Sequence, residues 1–358
     1  MRRILPVGRP PFMSYLFQLH PLSILARDDA YLPWLYSTHI QWFCHPGEVL
    51  KVMTHPLSTS HRIAAAYAST CPLLDVQSLE LRAARQISED ALTRTWARWV
   101  AAGYYVQVDA DYYYLSHSPE YRTRHFLHEL LIHGVDGEQQ RFTVLSYDAR
   151  GRPVSARVPF QELERAQENL EPEIFREAAR ASGGEPPWFD AAMEGRPRVF
   201  LFRYATEHGC TLDLQSIMEQ LGDYLNSYNT STRHRLDGAT RDEGLWGLAV
   251  YGWLQDQLGI LEARQGAFDP LTWHVFWEHK ACMLRRLQYL EEQDMLRPPG
   301  TAQAYRRIER MGRGLLWTVL RCAAAGGGAV DPARRTLAHL AEEESRLLHP
   351  VLQRLHSG

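Results

Sequence analysis

The sequence predicts an α+β chain, with a small antiparallel sheet first and an all-α antiparallel helix bundle after it. Three observations carry this expectation. Short β-rich runs joined by Gly-containing turns fill the region from Tyr104 to Val158. After Cys210 the apolar residues recur at helical spacing. Proline-led and glycine-led breaks divide that second region into segments long enough for helices.

In order along the chain, Met13 to Leu25 alternates weakly and reads as extended. An aromatic segment, Tyr31 to Phe43, precedes a short helix expected from Pro46 to Met53. Ser88 is a suitable N-cap for a helix ending at Ala102. Glu89 and Asp90 fall in its first turn, and Leu92, Trp96 and Val100 make its apolar stripe. Gly103 can close that helix in the left-handed conformation. Strands are then expected at Tyr104–Asp109, at Asp111–Leu115 as its return partner, at Glu129–His133, at Arg141–Tyr147 and at Pro153–Val158. A helix follows over Phe160–Asn169, then a Gly/Pro break at Gly183–Pro187 and one more strand at Arg198–Tyr204.

The helical region begins with Thr211–Tyr228, where Leu214, Met218, Leu221 and Leu225 share a face. Thr240 and Glu243 form a capping box for a helix reaching Leu258. Asp269-Pro270 and Asp331-Pro332 each place an N-cap before a proline at the first helical position. Pro298-Pro299-Gly300 breaks the chain ahead of a helix carrying Tyr305, Ile308, Leu315 and Val319. Successive amphipathic helices with short connections favour an antiparallel bundle.

The 358 residues are 45% hydrophobic and 23% charged, an ordinary globular balance that suggests about two domains. A net charge of −3 supplies no electrostatic footprint for nucleic acid or an anionic membrane. The five cysteines are odd in number and widely spaced, which argues against a disulfide framework and for a reducing compartment, the cytoplasm. Met1-Arg2-Arg3 runs into Pro6, Pro10 and Pro11 without an apolar core, so no signal peptide is expected. No apolar run approaches the roughly 20 residues of a membrane span.

Chemistry concentrates around His128. It opens an apolar strand that turns at Gly134-Val135-Asp136, and the returning strand ends at Ser146-Tyr147-Asp148. A hairpin would bring His128 and Asp148 to the same end of the sheet, where a carboxylate could fix the imidazole tautomer. A partly buried strand-end histidine fits the same spacing. His274, Glu278 and His279 match no zinc-helix spacing and read as a buried polar contact. Trp246 and Trp253, one heptad apart, read as a same-face core stripe, with Trp273 and Trp277 on the next helix. Gly326-Gly327-Gly328 lacks the lysine of a phosphate loop. No cofactor or metal is expected.

The run His128 to Asp148 resembles the histidine–strand–turn–strand–aspartate segment of papain-like cysteine enzymes of the bacteriocin-leader-peptidase type. More narrowly, Leu16 to Asn169 resembles the family named for the N-terminal domain of butirosin biosynthesis protein H. Tyr104-Tyr105-Val106, Asp109 and the Phe160 helix share in that resemblance. It implies a papain-like domain over 1–170, while the breaks and helical spacing above place a connecting segment over 171–205 and a helical bundle over 206–358. It also implies acyl or peptidyl transfer from a thioester or amide in bacterial natural-product biosynthesis, with a carrier protein and a small-molecule or peptide substrate as partners.

Such an enzyme needs a cysteine at the start of an early helix, where the helix dipole and a histidine favour the thiolate. No cysteine precedes Cys44, and the aromatic segment offers only Ser37 and Thr38 hydroxyls. Cys44 is the candidate nucleophile, Cys71 a weaker one, and Gln41 a candidate oxyanion donor. Two readings stay open: an enzyme using Cys44, His128 and Asp148, or a non-catalytic relative that binds a carrier protein, peptide or partner protein.

Overall fold

The computed structural model describes residues 1–44, 51–52, 70–88, 91–148, 151–168, 170, 198–233, 244–263, 268–328 and 330–357. The chain divides into two compact units. Met1–Tyr31 and His61–Gly209 form a sheet unit, and Leu32–Ser60 with Cys210–Gly358 form a helical unit. The described residues 32–44 and 51–52 therefore group with the C-terminal helices, whereas the sequence predicts a contiguous domain over 1–170.

The sheet unit is built on a seven-stranded antiparallel sheet. Its strands run in the order Leu74–Glu80, Arg198–Tyr204, Tyr105–Asp111, Leu127–Asp136, Arg141–Tyr147 and Pro153–Pro159, with Arg2–Ile4 paired to Leu127–Asp136. The late strand Arg198–Tyr204 enters between Leu74–Glu80 and Tyr105–Asp111. The expected return strand at Asp111–Leu115 is instead a 3₁₀ turn, Tyr112–Tyr114. Asp111 causes this: its carboxylate accepts from the Tyr113 and Phe126 amides, both at 3.1 Å, and turns the chain out of the sheet.

Two helices differ from expectation. Leu16–Leu25 is helical rather than extended, with every residue but Phe17 buried, so no amphipathic period marks it. Ser88 closes the preceding helix, Leu81–Ile87, by donating to the Ala84 carbonyl at 2.7 Å. The next helix starts at Leu92 after Ala91. It ends at Gly103, whose φ of 100° is left-handed, as the sequence predicts.

In the helical unit, Leu214–Leu225 is capped by Asp213, whose side chain accepts from the Ser216 amide. Val250–Ala263 follows, and then Pro270–Glu292, which Asp269 caps as expected. Thr301–Ala324 and Asp331–Ser357 complete the set. The capping box Thr240–Glu243, residues 46–50 of the helix expected from Pro46 to Met53 and the Gly183–Pro187 break lie outside the described residues; Lys51–Val52, within that expected helix, is instead a strand. A three-stranded antiparallel sheet of Leu245–Trp246, Trp42–Cys44 and Lys51–Val52 belongs to this unit. Trp246 thus sits on a strand, stacked on Phe43 at 4.9 Å, and not on the helix that carries Trp253.

The core of the helical unit is polar at its centre. Glu344 accepts hydrogen bonds from Lys280 Nζ at 2.6 Å and from the Tyr224 and Tyr251 hydroxyls, each at 2.7 Å. Tyr305 adds a fourth, on the other carboxylate oxygen. Five helices supply one residue each. Lys280 and Glu344 are both fully buried, and the Lys280 ammonium lies 3.9 Å from the Trp42 ring centroid. No described helix is long and apolar enough to cross a membrane.

Candidate functional site

The carboxylate against His128 is that of Glu129, its neighbour on the strand Leu127–Asp136. His128 Nδ1 lies 2.8 Å from Glu129 Oε2, and both side chains are partly open to solvent, at 30% and 22%. Nδ1 also lies 3.0 Å from Glu129's own amide nitrogen. A protonated Nδ1 donates to the carboxylate, and an unprotonated one accepts from the amide. Burial pushes the His128 pKa down, but the Glu129 charge and hydrogen bond, helped by Asp109, outweigh it and raise it. With Nδ1 so engaged, Nε2 is the ring atom left to exchange a proton with a substrate.

Strand register assembles the rest of the cluster. Asp109 on Tyr105–Asp111 pairs directly with Glu129, and Ala110 with His128. Two carboxylates facing each other across a ladder repel. Glu129 stays ionised: burial opposes this, but the His128 charge and its hydrogen bond hold it down to about 2. Asp109 takes the opposite course. Burial, and then the Glu129 charge, push it up to about 7. From the helix Leu16–Leu25, the fully buried His20 sets Nδ1 3.2 Å from Gln107 Oε1, while its Nε2 has no hydrogen-bond partner among the described residues. Burial lowers His20 to about 4, so it is neutral. The Tyr112 hydroxyl lies 2.9 Å from both the Glu129 carbonyl and Ser146 Oγ, tying the two strands beside His128. Groups pushed apart in pKa within one part-open cluster are the arrangement that acid–base chemistry requires.

Asp148 serves the following turn. Its carboxylate accepts from the Arg152 amide at 3.0 Å and from Arg152 Nη2 at 2.7 Å. The ladder of Arg141–Tyr147 with Leu127–Asp136 runs to the Leu131–Leu145 pair, three residues short of His128 and Asp148.

Cys44 lies in the helical unit and is buried on the strand Trp42–Cys44, paired with Leu245. Burial pushes its thiol up to about 12, the reverse of an activated nucleophile. Gln41 spends its amide N–H groups on the Tyr228 carbonyl and Thr230 Oγ1, each at 3.1 Å, which leaves no free donor for an oxyanion. Cys44 should therefore alkylate more slowly with iodoacetamide at neutral pH than the half-buried Cys322. Labelling of Cys44 first, read by peptide mass mapping, would restore it as a nucleophile.

His279 is a buried polar contact: its Nε2 lies 2.7 Å from the Ile40 carbonyl, and its ring stacks on Trp42 at 4.5 Å. Among the described residues, no group of three or more His, Cys, Asp or Glu could hold a metal. Glu129 and His20 carry no functional signal of their own in the sequence, and Asp109 enters there only through the family resemblance. The one available signal was the Asp109–Glu129 pair, visible once the two strands are put in register. Comparison with protein-family models and with curated proteins finds no match.

Proposed function

We propose that this chain is an acyl- or peptidyl-transfer enzyme of papain-like fold, acting on a thioester or amide intermediate in bacterial natural-product biosynthesis, without a protein nucleophile. His128 moves the proton and Glu129 orients it. The observation that carries the reading is the 2.8 Å His128–Glu129 pair at a part-open strand end, beside an Asp109 held near neutrality. With Cys44 buried and its thiol raised, the substrate amine attacks the acyl carbon itself. The C–N bond forms as the C–S bond breaks. The amine proton passes to His128 Nε2 and from there to the leaving thiolate.

The test is aminolysis of an S-acyl-N-acetylcysteamine thioester by the full chain. His128→Gln should lower the rate about 10²- to 10⁴-fold. Glu129→Gln should lower the maximum rate less. It should also move the rise of the pH–rate profile to lower pH, because a base works when neutral and Glu129 is what raises His128. Unchanged rates in both variants would reject the site.

A second reading, a non-catalytic papain-like relative that binds a carrier protein, peptide or partner protein, is favoured by the buried thiol of Cys44. It expects no thioester turnover by the wild type, and partner affinity that survives His128→Gln.

A further inference from the structure

The helix Thr301–Ala324 presents Arg306, Arg310, Arg313, Trp317 and Arg321 to solvent. At about 100° per residue these positions fall in one narrow stripe, and Arg307 borders it. The helix holds five arginines against a single carboxylate, Glu309, in a chain whose net charge is −3. Glu309 is already engaged, accepting from Trp277 Nε1 at 2.9 Å and lying 4.0 Å from Arg313 Nε. Arg306, Arg307, Arg310 and Arg321 make no ion pair among the described residues. Trp317, 58% exposed, interrupts the arginines with the most exposed tryptophan among the described residues. Between this helix and Asp331–Ser357 runs a groove of about 500 Å³, lined in part by Arg307, Met311, Glu343, Arg346 and Leu347, where Arg346 already pairs with Glu343 at 2.6 Å.

Like charges three and four residues apart weaken a helix, so the spacing of Arg306, Arg310 and Arg313 works against helix stability rather than for it. Arginine and tryptophan are, however, the residue types that most often dominate binding energy at protein interfaces. We propose that this face docks an acidic protein surface whose carboxylates pair with the guanidinium forks around an apolar side chain seated on Trp317. Carboxylates fit because arginine meets them with two parallel hydrogen bonds. A nucleic acid fits less well, since the chain as a whole is acidic and the basic residues form one short stripe rather than a broad field. The assignment is independent of the acid–base chemistry in the sheet unit.

Fluorescence anisotropy with a labelled amphipathic Glu/Leu peptide tests it on the full chain, alongside a short DNA duplex and phosphatidylglycerol vesicles. The wild type should bind the peptide in preference to both, and added salt should weaken that binding. Arg310→Glu with Arg313→Glu should weaken it about tenfold or more, and Trp317→Ala several-fold, with thermal melts unchanged. Arg310→Lys with Arg313→Lys keeps the charge, loses the fork and should fall in between. Absence of peptide binding, an affinity insensitive to these substitutions, or tighter binding of the duplex or the vesicles would each overturn the proposal.

Discussion

Replacing Glu344 with alanine should destabilise the helical unit by about 3–5 kcal/mol, the cost of leaving a buried charge without its partner. Lys280 would lose its counter-ion in a site where both side chains are wholly shielded from water. The Tyr224, Tyr251 and Tyr305 hydroxyls would lose their acceptor at the same time. Burial already drives the Lys280 pKa down to about 8, and Glu344 is what opposes that. Exchanging the pair together, Lys280→Met with Glu344→Leu, should cost much less than Glu344→Ala, because no unpaired charge remains. Urea unfolding followed by helical circular dichroism separates the cases. A Glu344→Ala midpoint equal to the wild type would show that the cluster contributes nothing.

Acidification should destabilise the same unit steeply between pH 6.5 and about 3. Burial holds His39 down to about 3, with Arg286 nearby adding to the effect. His279 is likewise lowered to about 3 by burial, and then by Lys280. Unfolded imidazoles bind protons below about 6.5, while these two stay neutral in the fold. The unfolded state then binds more protons, so stability falls as pH falls. Each histidine contributes up to about 1.4 kcal/mol per pH unit until the folded pKa is reached. Glu344, held below its ordinary value by Lys280 against the pull of burial, acts in the same direction at more acid pH. Urea midpoints at pH 6.5, 5.5 and 4.5 measure the slope, and His39→Gln with His279→Gln should flatten it. Equal wild-type midpoints at pH 6.5 and 4.5 would contradict the buried, neutral state of both rings.

Local signals were sufficient for much of the architecture. Gly103, Asp269-Pro270 and Pro298-Pro299-Gly300 end or start helices because a left-handed residue, a capping carboxylate and a missing N–H act within one turn. Arg141–Tyr147 and Pro153–Pro159 pair across a short connection, so their register was legible from spacing. Leu74–Glu80 was not, because its partner, Arg198–Tyr204, lies more than a hundred residues away. Leu16–Leu25 was not, because burial on nearly every side erases the helical period.

The sequence alone determined the order of sheet and helices, and it singled out His128 as a candidate site residue. Tertiary structure decided which carboxylate meets it. Side chains adjacent on a strand normally point to opposite faces, so no spacing rule pairs residue 128 with residue 129. The Asp109–Glu129 apposition exists only once two strands are in register. The same holds for Glu344 and its partners at 224, 251, 280 and 305. Helical periodicity marks which face of each helix is buried, but the partner of a buried charge comes from other helices, and only their packing selects it.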